Sequence, residues 1–212
     1  IQTDSRTEDS RITASDTGTD PGALPAYQMY TSGTTGEPKA AVISHRSLAI
    51  RLLWMMQEYE CGEKVLQKTP YTFDVSLWEL FLPLIAGKIS VLLEPGEEKF
   101  PAAVGNCIRR KNISMLHFVP TMLQMFLKEA EEENRKYPQV KTLICSGEAL
   151  TPALVQQAYQ VFPESVIANF YGPTECTIDV LHYRCRPGDT KIPVGQPAAD
   201  TNIYIVSRNR HI

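Results

Sequence analysis

The feature that most constrains the fold of this chain is the alternation of short apolar runs with longer segments of helical periodicity. Helical patterns of about 10 to 15 residues between such runs are typical of sheets built from strand–helix–strand units. The predicted strands lie at residues 26–30, 40–43, 89–93, 115–119, 142–145, 166–170, 177–183 and 202–206. The predicted helices lie at residues 44–59, 74–85, 100–111, 121–136 and 152–162. The pattern therefore predicts a layered α/β fold with a largely parallel sheet flanked by helices.

Polar side chains follow several of these predicted strands at their carboxyl ends. Thr31, His117, Ser146 and Tyr171 each stand at or just past the end of a strand. Ligands of open α/β sheets bind beyond the carboxyl ends of the strands. The periodicity therefore predicts a ligand site at this edge of the sheet.

A hydroxyl- and glycine-rich run follows the first predicted strand. Glycines allow tight turns that gather backbone N–H groups into one concavity, and hydroxyls and a lysine add donors suited to a polyphosphate. The spacing differs from the Walker loop, so an ordinary Ser/Thr/Gly hairpin loop remains an alternative interpretation. The candidate phosphate-binding residues are Thr31, Ser32, Gly33, Thr34, Thr35, Gly36 and Lys39.

Three further motifs follow in a fixed order and make the pattern specific. They lie at residues 73–81 (FDVSLWELF), 169–175 (NFYGPTE) and 192–197 (IPVGQP). With the first loop, they resemble the adenylation domains of non-ribosomal peptide synthetases, within the adenylate-forming enzyme superfamily. The similarity runs from about residue 24 to the end of the sequence. Ala40 departs from the glycine that the family usually has after the lysine, which leaves the phosphate donors in place.

The resemblance implies a nucleotide site that binds ATP and Mg²⁺. Lys39, Thr174 and Glu175 would act on the phosphates, with Glu175 as the Mg²⁺ ligand, because magnesium takes oxygen ligands and usually few carboxylates. Tyr171 would stack on adenine. The remaining residues implied around the base are Gly147, Glu148, Ala149 and Asn169. For Tyr171 alone a core aromatic is the alternative, and for Glu175 alone a surface turn.

An amino-acid pocket is implied by the same resemblance. Asp74 and Trp78 share a face of the predicted helix, and Ile144 and Ser146 share a face of a strand. Asp74 would pair with the α-ammonium of an amino acid. The nine implied pocket positions are Asp74, Val75, Trp78, His117, Ile144, Ser146, Phe170, Ile178 and Asp179.

This set of nine resembles the serine-activating pattern of the family. His117, Ser146 and Asp179 make the pocket polar, and Trp78 limits its volume. A site built to bind a hydroxyl group rejects analogues that lack one. Phe170 departs from the usual leucine, which keeps threonine or a substituted serine as alternative substrates.

The implied activity is that of a ligase: a substrate carboxylate attacks the α-phosphate of ATP and gives an aminoacyl-AMP and pyrophosphate. The implied partners are the amino acid, a carrier protein bearing phosphopantetheine and neighbouring synthetase domains. The alternatives are an acyl- or aryl-CoA ligase of the same superfamily, against which Asp74 argues, and a non-catalytic interaction module. The family's domain is longer than this chain, and its C-terminal subdomain is absent, so we expect little or no turnover from this piece alone.

Composition limits the remaining possibilities. Residues 1–22 are polar and rich in Ser, Thr and Asp, which predicts a linker or disorder, and residues 23–212 are predicted to form the incomplete central core of the adenylation domain. The net charge of −3 gives no electrostatic reason to expect nucleic-acid or membrane binding. Five scattered cysteines without metal-ligand spacing indicate reduced thiols in a cytoplasmic protein.

Overall fold

The computed structural model describes residues 20–31 and 37–206, so the predictions for residues 1–19 and for Ser32, Gly33, Thr34, Thr35 and Gly36 lie outside the described residues. The described chain opens with a short 3-10 helix, Pro21–Ala23, whose first N–H groups are capped by Asp20. An antiparallel hairpin follows, made of β1 (Pro25–Thr31) and β2 (Lys39–Ser44). Thr31 lies opposite Lys39, and these two residues end the pairing of β1 with β2 on the side of the candidate phosphate loop's sequence.

A larger sheet forms the centre of the described residues. Its strands are β3 (Lys64–Gln67), β4 (Ile89–Leu92), β5 (Met115–Phe118), β6 (Thr142–Cys145), β7 (Val166–Tyr171), β8 (Leu181–Arg184) and β9 (Gln196–Pro197). Their order across the sheet is β4-β3-β5-β6-β7-β8-β9. The strands from β4 to β7 pair in parallel, and β8 and β9 pair antiparallel. The largely parallel α/β fold predicted from the sequence is confirmed.

Five helices pack on this sheet in the described part of the chain. Four of them begin where the sequence supplies a start signal. The Ser44 hydroxyl accepts a hydrogen bond from the N–H of Ser47, and proline occupies the first turn of the last three helices, where no N–H is needed. The helices are α1 (His45–Glu58), α2 (Val75–Ile85), α3 (Pro101–Lys111), α4 (Pro120–Glu132) and α5 (Pro152–Val161).

Alternation along the strands separates two hydrophobic cores. Leu143 and Cys145 of β6 join the core beneath α3, α4 and α5, whereas Ile144 joins the core beneath α1 and α2. Successive strand residues point to opposite faces, so His117 and Ser146 lie on the same face as Ile144. The predicted amino-acid pocket therefore belongs to the α1/α2 face of the sheet.

Several predicted elements differ from the structure. β3 was not predicted. No strand forms at 202–206, and the sheet is closed earlier in the chain by β9 at Gln196–Pro197. The strand predicted at 177–183 begins only at Leu181, because Thr177 and Ile178 have positive φ angles of 66° and 72°. The apolar strand predicted at 89–93 forms as β4, but it is an edge strand of the sheet, and Ile89 is 51% exposed.

None of the helices in the described ranges is both long and apolar enough to cross a membrane.

Candidate active site

The polar end of the α1/α2 face is formed by His117 and Ser146. The His117 Nε2 and Ser146 Oγ atoms are 2.9 Å apart and share a hydrogen bond. Burial, together with the charge of Lys68, holds the pKa of His117 well below its usual value, so the imidazole is neutral. Trp78 is fully buried, and its ring lies edge-on to His117 with the ring centres 6.3 Å apart.

Two ring nitrogens of this cluster have no hydrogen-bond partner in the described part of the chain. They are Nε1 of Trp78, a donor, and Nδ1 of His117, a donor or an acceptor according to its tautomer. Buried polar atoms are normally paired, so unpaired ones need an explanation. A ligand hydroxyl group can supply the missing partner for His117.

Asp74 lies between this pocket and the segment that carries Glu175. It precedes the first residue of α2 and is half-buried. Burial raises the pKa of Asp74, a hydrogen bond from the Thr174 side chain opposes that shift, and the negative charge of Glu175 adds to it. The residue predicted for the amino-acid ammonium thus interacts with the residues predicted for the phosphates.

Asp179 is held by Arg51 of α1, an arginine that the sequence analysis did not single out. The Nη2 atom of Arg51 donates to Oδ2 of Asp179 at 3.1 Å, and its Nε atom donates to the main-chain oxygen of Asp179 at 3.0 Å. Both side chains are buried, at 5% and 4% relative exposure. The Asp179 carboxylate is therefore already paired with a cationic side chain of the folded chain. Its predicted contact with substrate stays a prediction.

The turn that leads to Asp179 is backbone-strained. Thr177 and the β-branched Ile178 both adopt left-handed conformations, which β-branched residues rarely take. Gly172 makes this turn possible, since a Cβ atom there would stand 2.5 Å from the Cα atom of Asp179. Ile178 packs in the core with the predicted pocket residues Trp78, Ile144 and Phe170, with Val75 packed against it.

A cavity of about 350 Å³ lies at the ends of β6 and β7. Tyr171 is 53% exposed there, which rules out the alternative of a core aromatic. The Nδ2 atom of Asn169 donates to the carbonyl of Pro193 at 2.9 Å and so fixes the segment that forms another wall. The predicted adenine residues that line this cavity are Gly147, Glu148, Ala149, Asn169 and Tyr171.

Glu148 has a local structural role as well. Its Oε2 atom accepts hydrogen bonds from the N–H and the hydroxyl of Thr121, at 2.9 and 2.6 Å. These groups lie in the first turn of α4, where a carboxylate satisfies a free N–H. The cavity wall is thereby attached to a helix of the opposite face.

Glu175 meets the end of the β1–β2 hairpin. The Thr31 hydroxyl lies 3.3 Å from Oε1 of Glu175 and 3.4 Å from the carbonyl of Lys39. Glu175 is exposed, in a short 3-10 helix from Thr174 to Cys176. In residues 20–31 and 37–206, no cluster of three or more His, Cys, Asp or Glu side chains is arranged to hold a metal ion. A single carboxylate beside a phosphate site fits Mg²⁺, which keeps several waters and binds substrate phosphates.

The AMP-binding enzyme family model matches residues 2–211, and the chain belongs to this family. A mycosubtilin synthase of Bacillus subtilis is 42% identical over an alignment of 193 positions, and the match covers 85% of this chain and 7% of that protein. Phosphinothricin tripeptide synthetase PhsB of Streptomyces viridochromogenes is 40% identical over an alignment of 192 positions, and the match covers 89% of this chain and 16% of that protein. The chain thus spans only a small part of either relative.

A solved structure has the same fold. The non-ribosomal peptide synthetase FmoA3, in its alpha-methyl-L-serine-AMP bound form, aligns with a TM-score of 0.80 and 27% identity. The alignment covers 89% of this chain and 22% of that chain. The layered sheet with its flanking helices is therefore the fold of this region in a peptide synthetase.

The burial of Asp179 leads to a pH-dependent stability. Burial raises the pKa of its carboxyl group from 3.8 to about 6, Arg51 opposes the shift, and Asp74 adds to it. Between these two values the folded chain holds a proton that the unfolded chain has released, so the free energy of unfolding falls as the pH rises through this window. We expect the stability difference between the wild type and Asp179→Asn to decrease from about pH 4 to pH 6 and to level off above pH 7, as measured by urea unfolding.

The control for this measurement is Asp200→Asn, because Asp200 is exposed. The free energy of unfolding of Asp200→Asn, plotted against pH, should run parallel to that of the wild type across the same range. A parallel plot for Asp179→Asn as well would contradict the assignment of the pH dependence to Asp179.

Proposed function

We propose that this chain is the central part of an amino-acid adenylation domain of a non-ribosomal peptide synthetase, which forms an aminoacyl-AMP from an amino acid and ATP. The observation that carries the proposal is the position of Asp74. Its carboxylate interacts with Thr174 and Glu175, which are predicted to act on the phosphates. Asp74 also directly precedes α2, the helix that contains Trp78 of the predicted pocket. An ammonium group at Asp74 brings the attached carboxylate toward the phosphate residues.

The chemistry asks mainly for orientation and charge stabilisation. The substrate carboxylate attacks the α-phosphorus, and the bond from that phosphorus to the bridging oxygen of pyrophosphate breaks. Two anions must meet, so cations and preorganised donors matter more than a proton shuttle. Lys39, Thr174 and the hydroxyls of residues 31–35 would supply donors to the phosphates. Mg²⁺ held by Glu175 would neutralise phosphate charge.

We further propose serine as the substrate. The neutral His117 and the Ser146 hydroxyl offer hydrogen bonds to a small hydroxylated side chain, and the fully buried Trp78 limits its size. Threonine and substituted serines are the second candidates, since Phe170 alters the pocket wall.

The proposed partners follow from the same function. The aminoacyl group would pass to the phosphopantetheine thiol of a carrier protein, next to other synthetase domains. We assign residues 23–212 to the domain core, and the phosphate loop at 32–36, the Mg²⁺ site and a cytoplasmic location stay predictions. The chain covers a small share of its relatives, so we expect the full-length domain, rather than this piece, to turn over.

The test is amino-acid-dependent ATP–pyrophosphate exchange by the full-length domain, across the proteinogenic amino acids, α-methylserine and a set of aryl acids. A dominant signal with serine-type substrates would support both parts of the proposal. Exchange only with aryl or fatty acids would favour the CoA-ligase alternative and contradict the role of Asp74. Absence of ATP binding by calorimetry would favour a non-catalytic module.

A further inference from the structure

Arg51 ties together two predicted pocket residues from outside the pocket. Besides its two hydrogen bonds to Asp179, its guanidinium carbon lies 5.1 Å from the ring centre of Phe170 and 4.7 Å from that of Trp54. A guanidinium over aromatic rings is held in place by their quadrupoles. Arg51 therefore fixes both the charge and the position of the pocket wall behind Asp179.

The charges around this wall can be counted. The negative charge of Asp74 acts on Asp179 and raises its pKa, in addition to the effect of burial. Against these two carboxylates stands one buried guanidinium, that of Arg51. The balance is one negative charge, which the single α-ammonium of a neutral amino acid cancels.

Other titratable groups near the wall do not alter this balance. Glu175 also acts on Asp74, but it is exposed, and solvent screens its charge. His117 is neutral, and burial together with Asp74 and Asp179 raises the pKa of Tyr27, so that its phenol also stays neutral. Lys68 is balanced by the buried Glu79. Asp200 shares a cavity of about 180 Å³ with Arg51 and Asp179, but it is exposed, and solvent screens its charge.

We propose that Arg51 is a specificity-determining positioning residue: by compensating Asp179 it makes the pocket accept an amino acid with a neutral hydroxylated side chain and exclude one with a cationic side chain. The inference rests on the proposed amino-acid adenylation. Without Arg51, the two carboxylates would face two cations of a diamino acid, and the same pocket would favour a basic substrate.

The experiment compares two substrates of equal length, homoserine and 2,4-diaminobutyrate, which differ only in a terminal hydroxyl or ammonium group. The ratio of their kcat/KM values is measured by ATP–pyrophosphate exchange at pH 8 with the full-length domain. We expect the wild type to prefer homoserine. In Arg51→Met the ratio should move toward diaminobutyrate by about tenfold or more, because a buried charge loses its partner.

Three variants separate charge from packing. Arg51→Lys restores the cation and should return the ratio toward the wild-type value, and the double variant Arg51→Met with Asp179→Asn should again disfavour the diamino acid. Arg46→Met is the matched control, because Arg46 lies on the same helix but is exposed and pairs with Asp20 near the chain's start. Its ratio should equal that of the wild type.

A purely structural role for Arg51 predicts a different result. Arg51→Met would then lower kcat for both substrates and leave their ratio unchanged, which would overturn the inference. If Arg51→Met does not fold, Asp179→Asn decides: it leaves Arg51 unpaired, so the ratio should move toward homoserine, and an unchanged ratio overturns the inference. A wild-type domain without amino-acid-dependent exchange would refute the proposed function and this inference with it, whereas wild-type exchange with an unchanged ratio refutes the inference alone.

Discussion

Replacing Asp74 with asparagine is expected to lower kcat/KM for amino-acid-dependent exchange by about 10²–10³-fold, since breaking a partly buried charge pair costs several kcal/mol. Asparagine keeps the size of the side chain and removes the negative charge that would pair with the α-ammonium. The loss should appear largely in KM for the amino acid, because the contact exists before and during the reaction. The measurement is steady-state exchange at varied amino acid and saturating ATP.

Two observations control this experiment. ATP binding by Asp74→Asn, measured by calorimetry, should be close to that of the wild type, since the cavity that carries Tyr171 is lined by other residues. Asp200→Asn removes an exposed carboxylate and should leave kcat/KM unchanged. Wild-type kinetics in Asp74→Asn would contradict the ammonium assignment and revive a substrate without an amino group.

The Gly195→Ala substitution should destabilise the folded domain by about 3 kcal/mol or more, because overpacking of backbone against backbone leaves no flexible group to yield. A Cβ atom at Gly195 would stand 1.9 Å from the carbonyl oxygen of His182. Gly195 immediately precedes β9, so the clash should detach β9 from β8. Ile192 and Val194, which line the proposed nucleotide cavity, would move with it. We expect lower urea midpoints and a raised KM for ATP.

Gly188 supplies the matched control. Its φ of 90° is close to the 95° of Gly195, but a Cβ atom there would meet nothing within 4 Å. Gly188→Ala therefore has the backbone strain without the clash, and it should lower the free energy of unfolding by only about 1–2 kcal/mol. Equal decreases in the free energy of unfolding of the two variants would show that backbone conformation, rather than contact with His182, governs both.

Much of the architecture could be predicted because the determining signals are local. β6 occupies the predicted residues, and α1 begins at the Ser44 cap and ends one residue before its predicted end. The face shared by Ile144 and Ser146 follows from strand alternation alone. That His117 lies on this face depends on the register of β5 against β6, and its hydrogen bond to Ser146 joins residues 29 apart in sequence, so both required the structure.

The misses have physical causes. β3 has only four residues, one of them a charged lysine, so it gives little periodic signal. The left-handed turn at Thr177 and Ile178 contradicts the β propensity of both residues, because Gly172 and the Arg51 ion pair impose it from elsewhere in the fold. Arg51 and Asp179 are 128 residues apart, and no local pattern marks an arginine within a helix as a partner of a distant turn.

The end of β6 has a consequence for redesign of the enzyme. Ser146 faces the proposed amino-acid pocket, whereas its neighbour Gly147, in a left-handed conformation, already lines the proposed nucleotide cavity, and Glu148 is attached to the first turn of α4. One short stretch of backbone would thus serve both proposed ligands. Replacing Ser146 with a bulkier side chain, so that the pocket accepts a different amino acid, should therefore also weaken the use of ATP. Compensating substitutions in α4 are expected to restore the use of ATP.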